Sequence, residues 1–236
     1  MFAVREFGAG LEGAAMTPYY QDDWATIYHG DCREVLPKLE GVDLVLTDPP
    51  YGISLQPPRG LTDAIQGDGR DEAKQLLSTL LRWMAIHTLS NSAHFIFAGW
   101  SEDWVPRMIR EWFTVKACIV WKKNVWGIGY HTRPQHEFIY LVHHGSPEPP
   151  EEPCSDVWEF PRSSAPIHSC EKPVKLLSQA IQLYNTARFI LDPFMGSGTT
   201  LRAAKDLNRQ AVGIEIEEKY CEIAANRMSQ EVLDFT

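Results

Sequence analysis

Two turns in this chain carry side chains whose types and spacing could do chemistry. The first, Asp48-Pro49-Pro50-Tyr51, follows the strand-like residues 42–46. Its prolines lack backbone N–H groups, so the oxygens of this turn are left to accept hydrogen bonds from another molecule. Tyr51 adds a flat face on which a ring can stack. The combination favours a site for an amino group on a planar ring, with a purely structural strand-end turn as the alternative.

The second turn contains two glycines directly after the apolar residues 189–191. It reads Asp192-Pro193-Phe194-Met195-Gly196-Ser197-Gly198-Thr199. Amides that open a helix favour an anionic group such as a carboxylate. The lysine of a P-loop is absent, which disfavours a nucleotide triphosphatase. Glu215 follows Gly198 by 17 positions, near the spacing of about 20 at which an acid binds ribose hydroxyls in dinucleotide sites. A nucleoside-bearing cofactor is therefore favoured over a plain strand-to-helix turn.

Strand-like and helical segments alternate along the chain and must position these turns. The predicted strands are residues 25–28, 42–46, 94–97, 115–121, 138–143, 189–191 and 211–216. Helices are predicted up to Leu39, over 71–89, over 101–113 with Ser101 as N-cap, over 173–184, after Gly198 and up to about Met228. This alternation predicts an α/β, doubly wound, mostly parallel sheet covered on both faces. Ligands bind beyond the carboxyl ends of such strands, where Asp31, Asp48, Gly196 and Glu215 would form one composite site.

Composition limits the alternatives. With 236 residues, 44% of them hydrophobic, the chain fits one sizeable domain, predicted over 21–236 behind an N-terminal extension, 1–20. No apolar run is long enough for a membrane span and no secretion signal is visible, so a soluble, cytoplasmic protein is expected. The five cysteines are scattered, which predicts free thiols and no structural zinc.

Charge is distributed unevenly. The net charge of −9 argues against a surface that coats nucleic acid generally. Residues 116–136 nevertheless contain four basic side chains and no acid, interleaved with aromatic residues, whereas 148–159 contain five acids and no base. The basic segment therefore either faces phosphates or is an ordinary solvated loop.

Taken in order, these motifs resemble the β-class amino-DNA methyltransferases, in which the catalytic motif precedes the cofactor motif. The resemblance extends to His29-Gly30-Asp31-Cys32, to Trp121-Lys122 through Gly129, to His136-Glu137, to Glu171-Lys172-Pro173 and to Gly213-Ile214-Glu215-Ile216. It implies a seven-stranded Rossmann-like sheet in circularly permuted order with an antiparallel hairpin at one edge. It also implies S-adenosylmethionine as cofactor and DNA as substrate.

The resemblance also implies roles for individual residues. Gly196 and Gly198 with Asp192 would cradle the methionine end of the cofactor, and Phe194, Ser197 and Thr199 belong to the same turn. Lys172 would lie near the cofactor carboxylate, Glu215 on the ribose, and Asp31 and Cys32 near the adenine ring. In the catalytic motif, Asp48 and the Pro49 carbonyl would accept from the target amino group, Pro50 would stiffen the turn and Tyr51 would stack on an extruded base.

Candidate DNA contacts come from the basic segment and from two loops. The side chains are Lys122, Lys123, Arg133 and His136, and the loops are 54–70 and 144–167. The second loop is short and acidic, so sequence discrimination is expected to be weak or to draw on the first loop or a partner subunit. A homodimer and a cognate restriction endonuclease are further candidate partners.

Several reaction types remain open at this stage. In the family that this chain resembles, a catalytic motif that begins with Asp favours methylation of N6 of adenine. Methylation of N4 of cytosine is the alternative. C5-cytosine methylation uses a cysteine nucleophile, and Cys154 follows a proline, Pro153. This pair lies in the acidic, proline-rich segment, so we expect it to be incidental. An inactive DNA-binding or modification subunit is a further alternative, disfavoured by intact Asp48, Tyr51 and glycines.

Overall fold

The computed structural model describes residues 16–51, 69–162 and 171–230. Its strands are β1 Tyr20–Gln21, β2 Ala25–His29, β3 Leu44–Thr47, β4 Ser92–Ala98, β5 Thr114–Lys122, β6 His136–His144, β7 Val157–Glu159, β8 Phe189–Asp192 and β9 Gln210–Glu215. Its helices are α1 Cys32–Val35, α2 Arg70–His87, α3 Trp104–Arg110, α4 Val174–Leu183, α5 Thr199–Asp206 and α6 Glu218–Ser229, with a 3₁₀ turn at Leu36–Lys38.

The strands form one mixed sheet in the order β1-β2-β9-β8-β3-β4-β6-β5-β7. Neighbours from β2 to β4 pair in parallel, whereas β6 runs antiparallel to both β4 and β5. All seven predicted strands are present among the described residues, and the predicted α/β architecture with a mostly parallel central sheet is confirmed. The two additional strands are the short edge strands β1 and β7. The circularly permuted order stays a prediction.

Strand β4 shows how the sheet is covered on both faces. Every one of its residues is buried, as expected for a central strand of an α/β sheet. Successive side chains point to opposite faces, so Phe95 and Phe97 pack with α4 and α5 in one core cluster. Ile96 and Ala98 pack with α2 and α3 in the other. The two apolar layers hold the strand ends at fixed positions.

Helix α2 lies on one of these layers because its apolar residues recur at helical spacing. Leu77, Leu80, Leu81 and Met84 are fully buried, and Asp71 and Glu72 in the first turn complement the helix dipole. The helix ends before Thr88, whose hydroxyl donates to the Met84 carbonyl at 2.7 Å.

Helix α3 is shorter than predicted. It begins at Trp104 instead of Ser101, and the predicted N-cap is wrong because the Ser101 hydroxyl donates to the Glu102 carboxylate at 2.7 Å. That hydroxyl therefore caps no helix amide.

The segments outside the predicted core differ from expectation in two places. Tyr20 joins the sheet through β1, although it was predicted to end the extension; the domain boundary stays a prediction. The acidic segment was predicted to be a loop, but it contains β7, which pairs with β5 and buries Trp158. Of the two predicted recognition loops, residues 54–68 of the first and 163–167 of the second lie outside the described residues.

Within the described residues, no helix has the length and apolar character needed to cross a membrane.

Candidate active site

The carboxyl ends of the parallel strands gather the predicted functional groups at one edge of the sheet. Asp48 follows β3, and the glycine turn follows β8, its parallel neighbour. The Thr47 hydroxyl donates to Asp192 Oδ1 at 3.0 Å, which joins the bases of the two turns directly. Glu215 ends β9 beside β8, and Asp31 follows β2 beside β9. The four groups predicted to share an edge therefore do so.

The glycine turn has the left-handed backbone that its glycines permit. Gly198 has φ +78°, and a Cβ there would lie 2.7 Å from the Ala224 Cβ of α6. Gly196 has φ +52°, and a Cβ there would meet no atom of the described structure within 4 Å. Gly198 is therefore required for packing, whereas Gly196 leaves open space beside the start of α5.

Asp192 supports this turn from below. Its Oδ1 accepts from Thr47 and from the Phe194 amide at 3.2 Å. Its Oδ2 accepts from the Thr200 hydroxyl at 2.6 Å. Burial raises the pKa of Asp192 to about 6, against the opposing effect of these hydrogen bonds. The carboxylate is buried and both of its oxygens accept from the protein, so Asp192 holds the turn in place. Its contact with the cofactor stays a prediction.

Glu215 is held by backbone amides. Its Oε2 accepts from the Gly196 amide at 2.9 Å, and its Oε1 accepts from the Glu217 amide at 2.8 Å. Burial raises the pKa of Glu215. Each carboxylate oxygen has a second lone pair, so the side chain is oriented and still able to accept from two neighbouring hydroxyls.

Asp31 and Cys32 lie at the next strand end. Asp31 caps α1 by accepting from the Arg33 amide at 2.8 Å. Hydrogen bonds from the Arg33 side chain lower the pKa of Asp31. Cys32 is buried, and burial raises the pKa of its thiol to about 12. It can therefore offer an apolar surface but not a thiolate.

The remaining predicted residues of the glycine turn are mostly buried. The Ser197 hydroxyl donates to Glu171 at 3.0 Å, and Arg227 pairs with the same carboxylate at 3.3 Å. Phe194 packs against an apolar cluster and Thr199 opens α5. The pairing of Glu171 with Arg227 was not predicted, because the two residues are 56 positions apart and no local pattern links them.

Asp48 receives two of the protein's own donors. Its Oδ1 accepts from the Tyr51 hydroxyl, and its Oδ2 accepts from the Lys172 ammonium. The Asp48 side chain is 22% exposed and that of Lys172 is 8% exposed. Burial raises the pKa of Asp48 to about 6, with Lys172 opposing the shift and Glu137 supporting it. The structure thus pairs Lys172 with the catalytic motif, although the sequence placed it near the cofactor carboxylate.

Glu137 completes this cluster and was not among the predicted site residues. Its Oε2 lies 3.3 Å from the Lys172 ammonium, and its Oε1 accepts from Lys123. Burial acts to raise the pKa of Glu137, but Lys172 and Lys123 outweigh it and hold that pKa below its usual range. The structure therefore places Lys123 in this cluster, and its contact with DNA stays a prediction. Its side chain is 18% exposed and faces the cluster.

The other predicted DNA contacts lie at the hairpin formed by β5 and β6. Lys122 ends β5, Arg133 lies between the strands and His136 begins β6. Lys122 is half-exposed and pairs with Glu159 at 2.9 Å. The Arg133 guanidinium lies 5.5 Å from the centre of the Trp126 ring. Ile128 and Tyr130 are almost fully exposed. This hairpin segment, residues 123–135, therefore presents basic and aromatic groups together beside the Asp48 cluster.

His136 begins β6 opposite Lys122, with its ring 5.1 Å from that of Phe138. Cys154 is exposed in the segment before β7. No group of His, Cys, Asp and Glu in the described ranges has the arrangement of a metal site.

The residues at the strand ends fit the cofactor that the sequence implies. Glu215 offers oriented acceptor oxygens of the kind that bind vicinal hydroxyls. The open space at Gly196 lets a polar group approach the backbone closely. Asp31 adds an ionised acceptor at the adjoining strand end.

Comparison with known proteins also indicates a DNA methyltransferase. The family model described as DNA methylase matches residues 143–226. "Putative methylase YubD" of Escherichia coli (strain K12) is 33% identical over 208 residues, covering 85% of this chain and 88% of that protein. "DNA adenine methyltransferase YhdJ" of the same organism is 26% identical over 244 residues, covering 86% and 82%.

Among solved structures, the PvuII DNA methyltransferase (cytosine-N4-specific) is similar with a TM-score of 0.74 at 16% identity. The match covers 92% of this chain and 90% of that chain. An identity this low shows the shared fold alone. Together with the relative of 33% identity, these findings establish that the chain belongs to the S-adenosylmethionine-dependent amino-DNA methyltransferases.

Proposed function

We propose that this protein transfers a methyl group from S-adenosylmethionine to the exocyclic N6 of adenine in DNA. The observation that carries the proposal is the direct hydrogen bond between Thr47 and Asp192, which holds the Asp48 turn and the glycine turn side by side. The leading Asp48 favours adenine, and so does the name of one relative.

The glycine turn and its neighbours would hold the cofactor. S-adenosylmethionine supplies an electrophilic methyl group on a sulfonium when it is bound. Glu215 would accept from the ribose hydroxyls and the backbone at Gly196 would lie against the methionine end. Asp31 and Cys32 would border the adenine ring. Asp192 acts indirectly, by holding the turn in place through Thr47 and Thr200.

Asp48 would act on the target amine. An exocyclic ring nitrogen is a poor nucleophile because its lone pair is delocalised into the ring. Acceptance of its hydrogens by Asp48 and the Pro49 carbonyl favours a pyramidal nitrogen with a localised pair. That pair would form the new N–C bond as the bond from the methyl group to the sulfonium breaks, and one N–H proton would leave to Asp48 and then to water. Alignment of the reacting groups would supply most of the rate.

The hairpin segment would face the DNA. Arg133 and Lys122 would bind phosphates, while the exposed Trp126 and Tyr130 would stack against bases. Tyr51 would stack on the extruded target base. Loops 54–70 and 144–167 remain candidate recognition loops, and a homodimer and a cognate restriction endonuclease remain candidate partners. We expect the enzyme to act on DNA in the cytoplasm of a prokaryotic or phage-infected cell.

Identification of the methylated nucleoside tests the proposal. Unmethylated genomic DNA is incubated with the protein and isotopically labelled S-adenosylmethionine, digested to nucleosides and analysed by mass spectrometry. The proposal predicts label in N6-methyldeoxyadenosine. Label in N4-methyldeoxycytidine would instead support the alternative function, methylation of N4 of cytosine. That is the specificity given for the PvuII enzyme of similar fold. Label in 5-methyldeoxycytidine would contradict both.

A further inference from the structure

Asp48 is a weak acceptor for a target amino group while the protein's own donors neutralise its charge. Tyr51 donates to one of its oxygens and Lys172 to the other. Lys172 is the stronger competitor because an ammonium binds a carboxylate more strongly than a phenol does. Each carboxylate oxygen has a second lone pair, so the target amine can approach, and its hydrogen bond to Asp48 strengthens when the ammonium moves away.

A lysine that moves away from Asp48 gives up a strong ion pair. The Lys172 side chain is 8% exposed and lies over the Phe97 ring at 5.2 Å. Moving an ammonium away from a carboxylate in such surroundings is strongly unfavourable. A second carboxylate within reach would offset this cost.

Glu137 is placed to be that second partner. Its Oε1 is held by Lys123, so the carboxylate is fixed in position. Its Oε2 is buried and has no hydrogen-bond donor among the described residues, yet it lies 3.3 Å from the Lys172 ammonium. At this distance Lys172 and Glu137 form an ion pair, but the ammonium is not aligned for a hydrogen bond to Oε2. A small rotation of the lysine side chain would form that hydrogen bond.

We propose that Glu137 is a positioning residue that takes over the Lys172 ammonium when the target amino group reaches Asp48. This inference rests on the proposed function. The exchange moves one ammonium between two carboxylates that lie beside it, so no proton, electron or covalent bond changes place. Two carboxylates and two ammonium groups balance before and after the exchange.

The decisive variant is Glu137→Gln, which keeps the size of the side chain and removes its charge. With Lys172 held on Asp48, the single-turnover rate at saturating DNA and cofactor should fall about tenfold or more, with dissociation constants changed less than about twofold. Glu137→Asp keeps the charge and should recover much of the rate. Glu159→Gln is the matched control, because Glu159 pairs with Lys122 at the same sheet edge outside the cluster.

A second readout needs no turnover. The groups facing Asp48 are Lys172, Glu137 and Lys123, with the Tyr51 hydroxyl in contact and Asp192 behind it. Loss of the Glu137 charge removes a negative neighbour, so the pKa of Asp48 should fall. Carbon NMR of the Asp48 carboxyl in Glu137→Gln protein measures this shift, and the acidic limb of the rate profile should move the same way.

The possible results distinguish failure of the positioning role of Glu137 from failure of the proposed function. If Glu137→Gln retains the wild-type rate, or lowers only DNA affinity, the positioning role is wrong while the proposed function stands. A slow variant whose Asp48 pKa is unchanged and which Glu137→Asp fails to rescue would show a structural role instead, and would also overturn the inference. If the wild-type protein transfers no methyl group to DNA, the proposed function itself fails.

Discussion

Replacement of Gly198 by alanine tests whether the glycine turn is held in its conformation by contact with α6. The positive φ costs an alanine about 1–2 kcal/mol. The added Cβ would lie 2.7 Å from the Ala224 Cβ, well inside the contact distance of about 3.5–4.0 Å, and relief of such overpacking costs about 1–3 kcal/mol more. The free energy of unfolding should therefore fall by about 2–5 kcal/mol for Gly198→Ala.

Gly196→Ala provides the matched control. It carries a similar positive φ but meets no described atom within 4 Å, so only the backbone cost of about 1–2 kcal/mol is expected. Urea unfolding of both variants without cofactor measures the difference. Ala224→Gly should recover part of the loss in Gly198→Ala protein and none in Gly196→Ala protein. Equal losses in the two variants, or no recovery, would refute the packing argument.

Three further predictions concern the DNA surface and the support below the turn. Arg133→Ala should reduce the magnitude of the slope of log affinity for duplex DNA against log salt concentration by about 1. The control is Lys116→Ala, an exposed residue at the other end of β5, which should leave the slope unchanged. Fluorescence titration of DNA binding at several salt concentrations measures both slopes. Thr200→Val should lower the free energy of unfolding by about 1–3 kcal/mol in urea titrations, because Asp192 Oδ2 loses its donor, and an unchanged value would mean that water replaces the hydroxyl. Burial raises the pKa of Asp192 to about 6, above the usual value of about 4 for an aspartate. The cost of its buried charge therefore builds up between about pH 4 and about pH 6 and is fully present at higher pH. Asp192→Asn should be more stable than wild type at pH 7 by up to about 3 kcal/mol, with a gap that closes towards about pH 4; a gap independent of pH would contradict this assignment.

The central sheet could be predicted from the sequence because its strands are short apolar runs followed by turn residues. Val42 to Leu46 and Phe189 to Leu191 stand out by this pattern, and the rule that parallel strands present their carboxyl ends at one edge brought Asp48 and Gly196 together. Strand β7 could not be predicted in the same way. It has three residues and pairs only at the sheet edge, and its one buried side chain, Trp158, follows an acidic, proline-rich segment.

The site was predicted in outline, whereas the pairing of its charges was not. Lys123 and Lys122 are adjacent in sequence and look equivalent as basic residues, but strand alternation turns them to opposite sides. One reaches Glu137 in the interior and the other reaches Glu159 near the surface. Lys172 meets Asp48 across 124 positions of sequence. Such long-range pairs depend on tertiary packing, which local patterns do not encode.

The central claim is that Asp48 activates the target amine while the glycine turn binds the methyl donor independently. Methyl transfer to DNA in a single turnover, measured on Asp48→Asn protein alongside its affinity for S-adenosylmethionine, tests this claim most directly. The account predicts that the rate falls about a hundredfold or more while cofactor affinity stays within about threefold of wild type. Transfer at the wild-type rate by Asp48→Asn would contradict it.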